Sequence, residues 1–458
     1  MMLFHSTRGS APEVDIRSAS LAGLAPDGGL YLPKIWPQFS EGYFQEMRHQ
    51  SYGEIAFRVM QPFMQGAVPD EVLCAIIDKS YGVFDAENVT PLRVLSDDLR
   101  ILELFHGPSL AFKDIAMQFL GHSFEYFLRD SARHMTIIGA TSGDTGSAAI
   151  AALAGHRNIE TFILYPQKGP SDIQRKQMTC VDASNVHALA IDGTFDDCQH
   201  IVKTLFADQA LREKLNLNTV NSINWLRILA QMVYYFVAAA KTESKPSFVV
   251  PTGNFGDIFA GYAAMKCGLP IGKLVVASNS NDILTRFFAT GKMEPKVAQL
   301  TLSPSMDIQI SSNFERLLFD LCDGNAAQLR GLMNDLKDKK SFSVSAAQLA
   351  KAKETFMAGC ANDDETLTTI ALIEEKYGYI LDPHTAVGVK VAQDLAAQLP
   401  QPVICLGTAH PAKFPETIRN AIGQEPTLPE KIDDLISKPE RTILLPADAK
   451  QVADFISR

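Results

Sequence analysis

The string SFVVPTGNFGDIFAGYAAMKCG, residues 247–268, reads as strand, loop and helix in immediate succession. A continuous apolar run ends at Pro251, glycines follow at 253 and 256, and a helix begins near Asp257. Four more runs of the same kind stand at MTIIGA (135–140), ETFILYP (160–166), KLVVAS (273–278) and PVICLG (402–407), each followed by a loop. Continuous β-branched runs that alternate with helices imply an α/β protein whose parallel sheets are buried on both faces. In such sheets the ligand site collects at the carboxyl ends of the strands. The loops after those runs are therefore where chemistry is expected.

Gly253 and Gly256 let the backbone turn tightly, and the following helix points its positive end into the loop, an arrangement that suits phosphate. The loop lacks both the Walker A lysine and the GxGxxG spacing, which disfavours a nucleoside triphosphate or a dinucleotide and leaves a phosphate monoester. An ordinary tight strand-to-helix turn is the plain alternative. A second loop, GATSGDTGSAAIAAL (139–153), gathers Thr141, Ser142, Thr145 and Ser147 around Gly143 and Gly146 at a helix start, a donor set suited to a carboxylate. A third string, NSINWLRILAQMVYYF (221–236), opens a helix with Asn221, Ser222 and Asn224, and Arg227 lies one turn on. It is either a second anion cup or a plain N-cap with a surface arginine.

In LGTAHPAKFPE (406–416) Thr408 offers a neutral hydroxyl at a strand end, while His410 and Lys413 fit capping or packing equally well. In HGPSLAFKDIAMQF (106–119) Lys113 stands near the start of an amphipathic helix, where the dipole disfavours a cation, beside Ala111 and Phe112. That setting suits an amine that attacks a carbonyl cofactor and later serves as a base, although a snorkelling lysine has the same pattern. One reactive lysine, one monophosphate loop, one carboxylate loop and a hydroxyl at a strand end together describe pyridoxal phosphate.

At 458 residues the chain suggests more than one domain. The expected division is an N-terminal domain at 1–90, a smaller catalytic domain with the lysine at 91–215, and a large domain with the phosphate loop at 216–458. Helical stretches are expected around 52–65 and 70–79. The polar segment 325–376 reads as a solvated peripheral insertion without chemistry. A net charge of −10 argues against nonspecific nucleic-acid binding. Seven scattered cysteines without a CxxC pair or clustered Cys/His spacing read as reduced thiols, with no metal expected. No signal-like start and no membrane-length apolar run is visible, so a cytoplasmic protein is expected.

The chain resembles the threonine synthase family, pyridoxal-phosphate enzymes of the tryptophan-synthase β-like, fold type II group. GLAPDGGLYLP, HGPSLAFKD, TSGDTGSAA, NSINWLR, PTGNFGD and GTAHPAKFPE occur in that order nearly end to end, in the versions of the bacterial and fungal branch. The resemblance implies that Lys113 bonds the cofactor, that Gly253, Asn254, Phe255, Gly256 and Asp257 line its phosphate, and that Thr408 faces its pyridine nitrogen. It assigns the substrate carboxylate to Thr141, Ser142 and Thr145, and the substrate phosphate to Asn221, Ser222 and Arg227. The implied reaction turns O-phospho-L-homoserine and water into L-threonine and phosphate, in a monomer or homodimer. Asp144 departs from the pattern, because many relatives carry Asn beside the cofactor phenolate, and a carboxylate there must be protonated or turned away. Serine/threonine dehydratase and cysteine synthase chemistries need no second phosphate cup, so residues 221–227 discriminate among them. A non-catalytic metabolite-binding homologue would have no need to retain Lys113.

Overall fold

In the computed structural model, which describes residues 1–86, 88–129 and 134–457, the strand Ser247–Pro251 lies inside a six-stranded sheet. Leu274–Ser278 and Val403–Gly407 flank it in parallel. Phe356–Cys360 pairs beyond the first and Leu99–Glu103 beyond the second, again in parallel. Only Leu92–Val94 at the edge runs antiparallel. All five residues of Ser247–Pro251 are buried, as a strand covered on both faces requires. Ala386, Val387, Val389 and Val391 of the helix Pro383–Leu395 close over Ile101, Val249 and Val275 to make the core of this region.

A second sheet is parallel throughout, in the order Ile443–Pro446, Val186–Asp192, Ile159–Pro166, Met135–Ala140, Leu217–Asn218. Its own core gathers Ile138, Leu164, Leu189 and Ile191 with Cys198, Ile201, Leu205 and Val452.

The chain forms two compact units: residues 1–78, 85–106 and 222–426, and residues 79–84, 107–221 and 427–458. This differs from three consecutive segments for two physical reasons. Pairing of Ile443–Pro446 with Val186–Asp192 draws the C-terminal stretch into the second unit. The N-terminal residues form a small antiparallel sheet, Val14–Asp15, Leu3–Ser6 and Tyr31–Pro33, which is bonded into the first unit. There Thr7 Oγ1 donates to Glu315 at 2.7 Å, and Arg8 pairs with the same carboxylate at 3.0 Å.

The early helices span Tyr52–Met64 and Asp70–Tyr81, close to expectation. The segment 325–376 needs correction. Its helices Ala326–Lys339 and Ala346–Thr355 are largely solvated, but Phe356–Cys360 extends the main sheet and Ile370 and Ile373 enter the core. The strand FMAGC has no β-branched residue, so its sequence carries no strand signal. No described helix is long and apolar enough to cross a membrane.

Candidate active site

In the second unit, Lys113 is the first residue of the helix Lys113–Leu128 and is only 9% exposed. Its Nζ lies 3.6 Å from Asp144 Oδ2 and 5.1 Å from the centroid of the Phe112 ring. A cation at the positive end of a helix is opposed by the dipole, and the carboxylate supplies the compensation. Asp144 is buried at the start of the helix Asp144–Leu153, where its Oδ1 accepts from Gln174 Nε2 at 2.9 Å. Gln174 is itself fixed, because its Oε1 accepts from Ser171 N at 3.0 Å in a capping box. Gly143 sits at φ +149°, and a Cβ there would meet Gln174 Cδ at 2.6 Å, so only glycine fits. Asp144 thus turns its second oxygen toward the Lys113 amine. Sequence reading missed Gln174, whose S-x-x-Q pattern signals nothing beyond a helix cap.

Thr141 Oγ1 accepts from the N–H groups of Gly143 and Gly146, at 3.0 and 2.9 Å, so this hydroxyl closes the loop from within. Ser142 and Asn221 are exposed and Thr145 is half-buried. Ser147 Oγ donates to the Asp144 carbonyl at 3.1 Å and serves the loop instead of a ligand.

In the first unit the loop 253–257 is fastened from outside. Ser311 Oγ donates to Gly253 O at 2.6 Å, and Asn313 N donates to Asn254 O at 3.1 Å. The Asn313 amide also donates to Asn254 O at 3.2 Å and to the carbonyl and hydroxyl oxygens of Ser222, both at 3.4 Å. A Cβ on Gly253 would meet Ser305 O at 2.9 Å, and one on Gly256 would meet Asn313 Nδ2 at 3.1 Å. Phe255 adopts φ +62°, a left-handed conformation that costs about 1–2 kcal/mol. Its burial, edge-on against Phe314 and tilted against Phe356, offsets that cost. The resulting turn aims the start of the helix Gly256–Lys266, with N–H groups outside the helical ladder, at the loop. This side-chain-free cradle fits a phosphate.

Asp257 differs from expectation. Its buried carboxylate accepts from the Tyr234 hydroxyl and, at 3.0 Å, from the Tyr235 hydroxyl, so only its backbone is available to a phosphate. Burial pushes its pKa up to about 6 although both tyrosine bonds oppose the shift. Two tyrosines one position apart on a neighbouring helix carry no sequence signal for this clamp.

The helix Trp225–Ala240 is capped by Asn224, whose Oδ1 accepts from Leu226 N at 3.1 Å. Arg227 is no surface arginine. It is buried, and burial pushes its pKa down to about 10, which leaves it charged at neutral pH. A charged guanidinium held away from water favours an anion. Nearby in the same unit, buried Arg316 donates to Tyr31 O at 3.1 Å, to Ile223 O at 2.6 Å and to Asn313 Oδ1.

Thr408 follows the strand Val403–Gly407, and its N–H donates to Thr385 Oγ1 at 3.1 Å. Its own buried hydroxyl oxygen has no hydrogen-bond partner among the described residues, the state expected of a group kept for a ring nitrogen. Behind it, the Thr385 hydroxyl donates to Asp382, whose other oxygen lies 2.9 Å from His384 Nδ1. His384 Nε2 accepts from Ser305 N at 3.3 Å. The string DPHT at 382–385 reads in sequence as an ordinary Asp-Pro helix start. His410 caps its own turn by accepting from Ala412 N at 3.2 Å. Burial, with His106 nearby, pushes its pKa down to about 4, so it is neutral at pH 7. Lys413 is fully buried, in keeping with packing.

Three family models match consecutive stretches of the chain: threonine synthase N terminus over residues 3–81, pyridoxal-phosphate dependent enzyme over 83–352, and threonine synthase C-terminal over 385–456. The threonine synthase of Pseudomonas aeruginosa is 46% identical over 461 residues, covering 100% of this chain and 98% of that protein. A crystal structure of pyridoxal-phosphate-bound threonine synthase from Brucella melitensis is 47% identical, with a TM-score of 0.97 over 100% of this chain and 99% of the other. The yeast threonine synthase structure gives 41% identity and a TM-score of 0.94, covering 100% and 98%.

Proposed function

The chain belongs to the threonine synthase family, pyridoxal-phosphate enzymes of fold type II with an added N-terminal domain, and from that premise we propose that its substrate is O-phospho-L-homoserine. The products are then L-threonine and phosphate. What supports this choice is a second group of polar and cationic side chains in the first unit. Ser222 is tied to Asn254 of the glycine loop through the single amide of Asn313, and Arg227 is a buried cation on the helix that follows. An enzyme whose substrate carries no phosphate needs only the glycine loop.

Bound pyridoxal phosphate supplies an electron sink for charge that develops beside the substrate amine. The residues supply the rest. Gly253, Asn254, Phe255, Gly256 and the Asp257 backbone would hold the cofactor phosphate with N–H groups, and Thr408 would offer its hydroxyl to the pyridine nitrogen. Lys113 would bond the cofactor and serve as the base for the substrate's Cα proton, with Asp144 as the counter-ion to its ammonium. Thr141, Ser142 and Thr145 hold the substrate carboxylate. Asn221, Ser222 and Arg227 hold the substrate phosphate, which leaves from Cγ after a further proton is lost at Cβ. Water adds at Cβ and reprotonation completes threonine, a balanced exchange of water for phosphate. Stabilising charge on the departing phosphate makes Arg227 a contributor to rate as well as to binding. We infer a cytoplasmic monomer or homodimer.

The test is steady-state phosphate release from O-phospho-L-homoserine, with O-acetylserine and threonine as competing substrates. Turnover of either alternative at higher kcat/KM would overturn the proposal.

A further inference from the structure

Away from the residues above, the second unit brings His122, Glu125 and His156 together, with one ligand atom from each lying within 4.8 Å of the others. His122 and Glu125 stand three residues apart on the helix Lys113–Leu128, a spacing that puts both side chains on one helix face. His156 follows the helix Asp144–Leu153 by three residues and is buried. Its Nδ1 is 3.1 Å from Glu125 Oε2, and its ring meets the His122 ring edge-on with centroids 4.7 Å apart. His122 Nδ1 is buried without a hydrogen-bond partner among the described residues.

We propose that His122, Glu125 and His156 form a binding site for a divalent transition metal of the zinc class. Ligand atoms around tetrahedral zinc lie about 3.4 Å apart, since the bonds are about 2.0–2.2 Å. The His156–Glu125 pair already meets that spacing, and His122 has to draw in by about 1.4 Å at most. Two imidazoles and one carboxylate leave a fourth position for water.

The surroundings are built to hold these side chains. Glu125 Oε1 accepts from Arg157 N at 3.3 Å, fixing the oxygen that does not face His156. The Asn185 amide donates to the carbonyls of Leu153, His156 and Ile159, and its oxygen accepts from Gly155 N at 2.7 Å, so the turn carrying His156 is braced on both sides. Gly121 allows the close approach, because a Cβ there would meet Ala152 O at 2.8 Å and His156 Nε2 at 3.3 Å. The charge of Lys79 bears on His122 and opposes a cation.

The site has a mechanical consequence. The helices that begin at Lys113 and Asp144 are bridged near their starts by that ion pair, and a metal would bridge the later part of one to the turn that ends the other. About 14 Å of helix separates Lys113 from His122, so the ion acts on positioning and not on reacting atoms.

The test uses chelator-treated holoenzyme with the exposed thiols removed, Cys74→Ser and Cys360→Ser, so that they cannot bind zinc. Titration calorimetry with Zn2+ should show one high-affinity ion per chain, and Co2+ in its place should give a visible tetrahedral band. His122→Ala and Glu125→Gln should each weaken the affinity at least about tenfold and remove the metal-dependent rise in Tm. Both substitutions are at partly exposed positions, so the metal-free Tm reports whether each variant still folds. Unchanged zinc affinity in the folded variants, or no high-affinity ion in the parent, would overturn the site.

Discussion

The loops at 141–147 and 253–257 share one sequence grammar, glycines followed by an aspartate in the first helical turn, yet they put that aspartate to opposite uses. In the first, the loop is closed by its own Thr141 hydroxyl, and Asp144 is held by Gln174 with its second oxygen facing the Lys113 amine. In the second, the loop is pinned from outside by Ser311 and Asn313, and Asp257 is drawn away into a pair of tyrosine hydroxyls. A carboxylate is useful beside an amine and harmful beside a phosphate, so the fold presents the one acid and sequesters the other. The partner side chains, not the glycine pattern, decide what each loop does.

The contrast breaks most completely at Lys113. Lys113→Ala should lower turnover by more than about a thousandfold, because the variant loses the amine assigned both to bond the cofactor and to move the Cα proton. Phosphate release, together with cofactor retained after dialysis, measures it, and a fully active variant would remove Lys113 from the site.

Asp257 sharpens the other side. Its folded pKa of about 6 lies above the ordinary 3.8, so its contribution to stability is full below about pH 4 and is lost as the pH rises through 6. The difference amounts to about 3 kcal/mol at most. Asp257→Asn keeps an acceptor for the two tyrosines and carries no charge, so its stability relative to the parent should improve between pH 4 and pH 7. Denaturant unfolding at both pH values checks this, and a constant difference would mean that the acid is solvated.

Arg227→Ala should separate the two phosphates. Loss of a charge-assisted contact costs roughly 1.5–3 kcal/mol, about ten- to a hundredfold in kcat/KM for the phosphorylated substrate, with cofactor affinity almost unchanged. Lys at this position should restore only part, since it lacks the guanidinium fork. Wild-type kcat/KM in Arg227→Ala would reduce this region to a helix cap.

The smallest effect is expected at Asp144. Asp144→Asn leaves a group that can still accept from Gln174 while removing the countercharge from Lys113, and kcat should fall about tenfold. Unchanged kcat at every pH would show that the ion pair is incidental.

Much of this was legible in the chain. Strands such as Val403–Gly407 announce themselves because burial on both faces demands unbroken apolar runs, and the glycine loops because a missing Cβ leaves a local mark. Phe356–Cys360 stayed hidden, since a strand without a β-branched residue takes its identity from its neighbour Leu274–Ser278. Gln174, Asn313 and Asp382 stayed hidden for a related reason. Gln174 and Asn313 act on residues 30 to 91 positions away, and Asp382 reaches Thr408 only through Thr385, 23 positions from it; local sequence records nothing about such partners.

Arg316 gives the N-terminal sheet an unexpected standing. One guanidinium joins the Tyr31 carbonyl, the Ile223 carbonyl next to Ser222, and the Asn313 side chain that grips the glycine loop. The opening third of the first hundred residues is thus a keystone and not a porch. A shortened chain that began after residue 33 would carry every motif from Lys113 to Thr408, yet it would have removed one leg of the bracket on which its phosphate cradle is mounted.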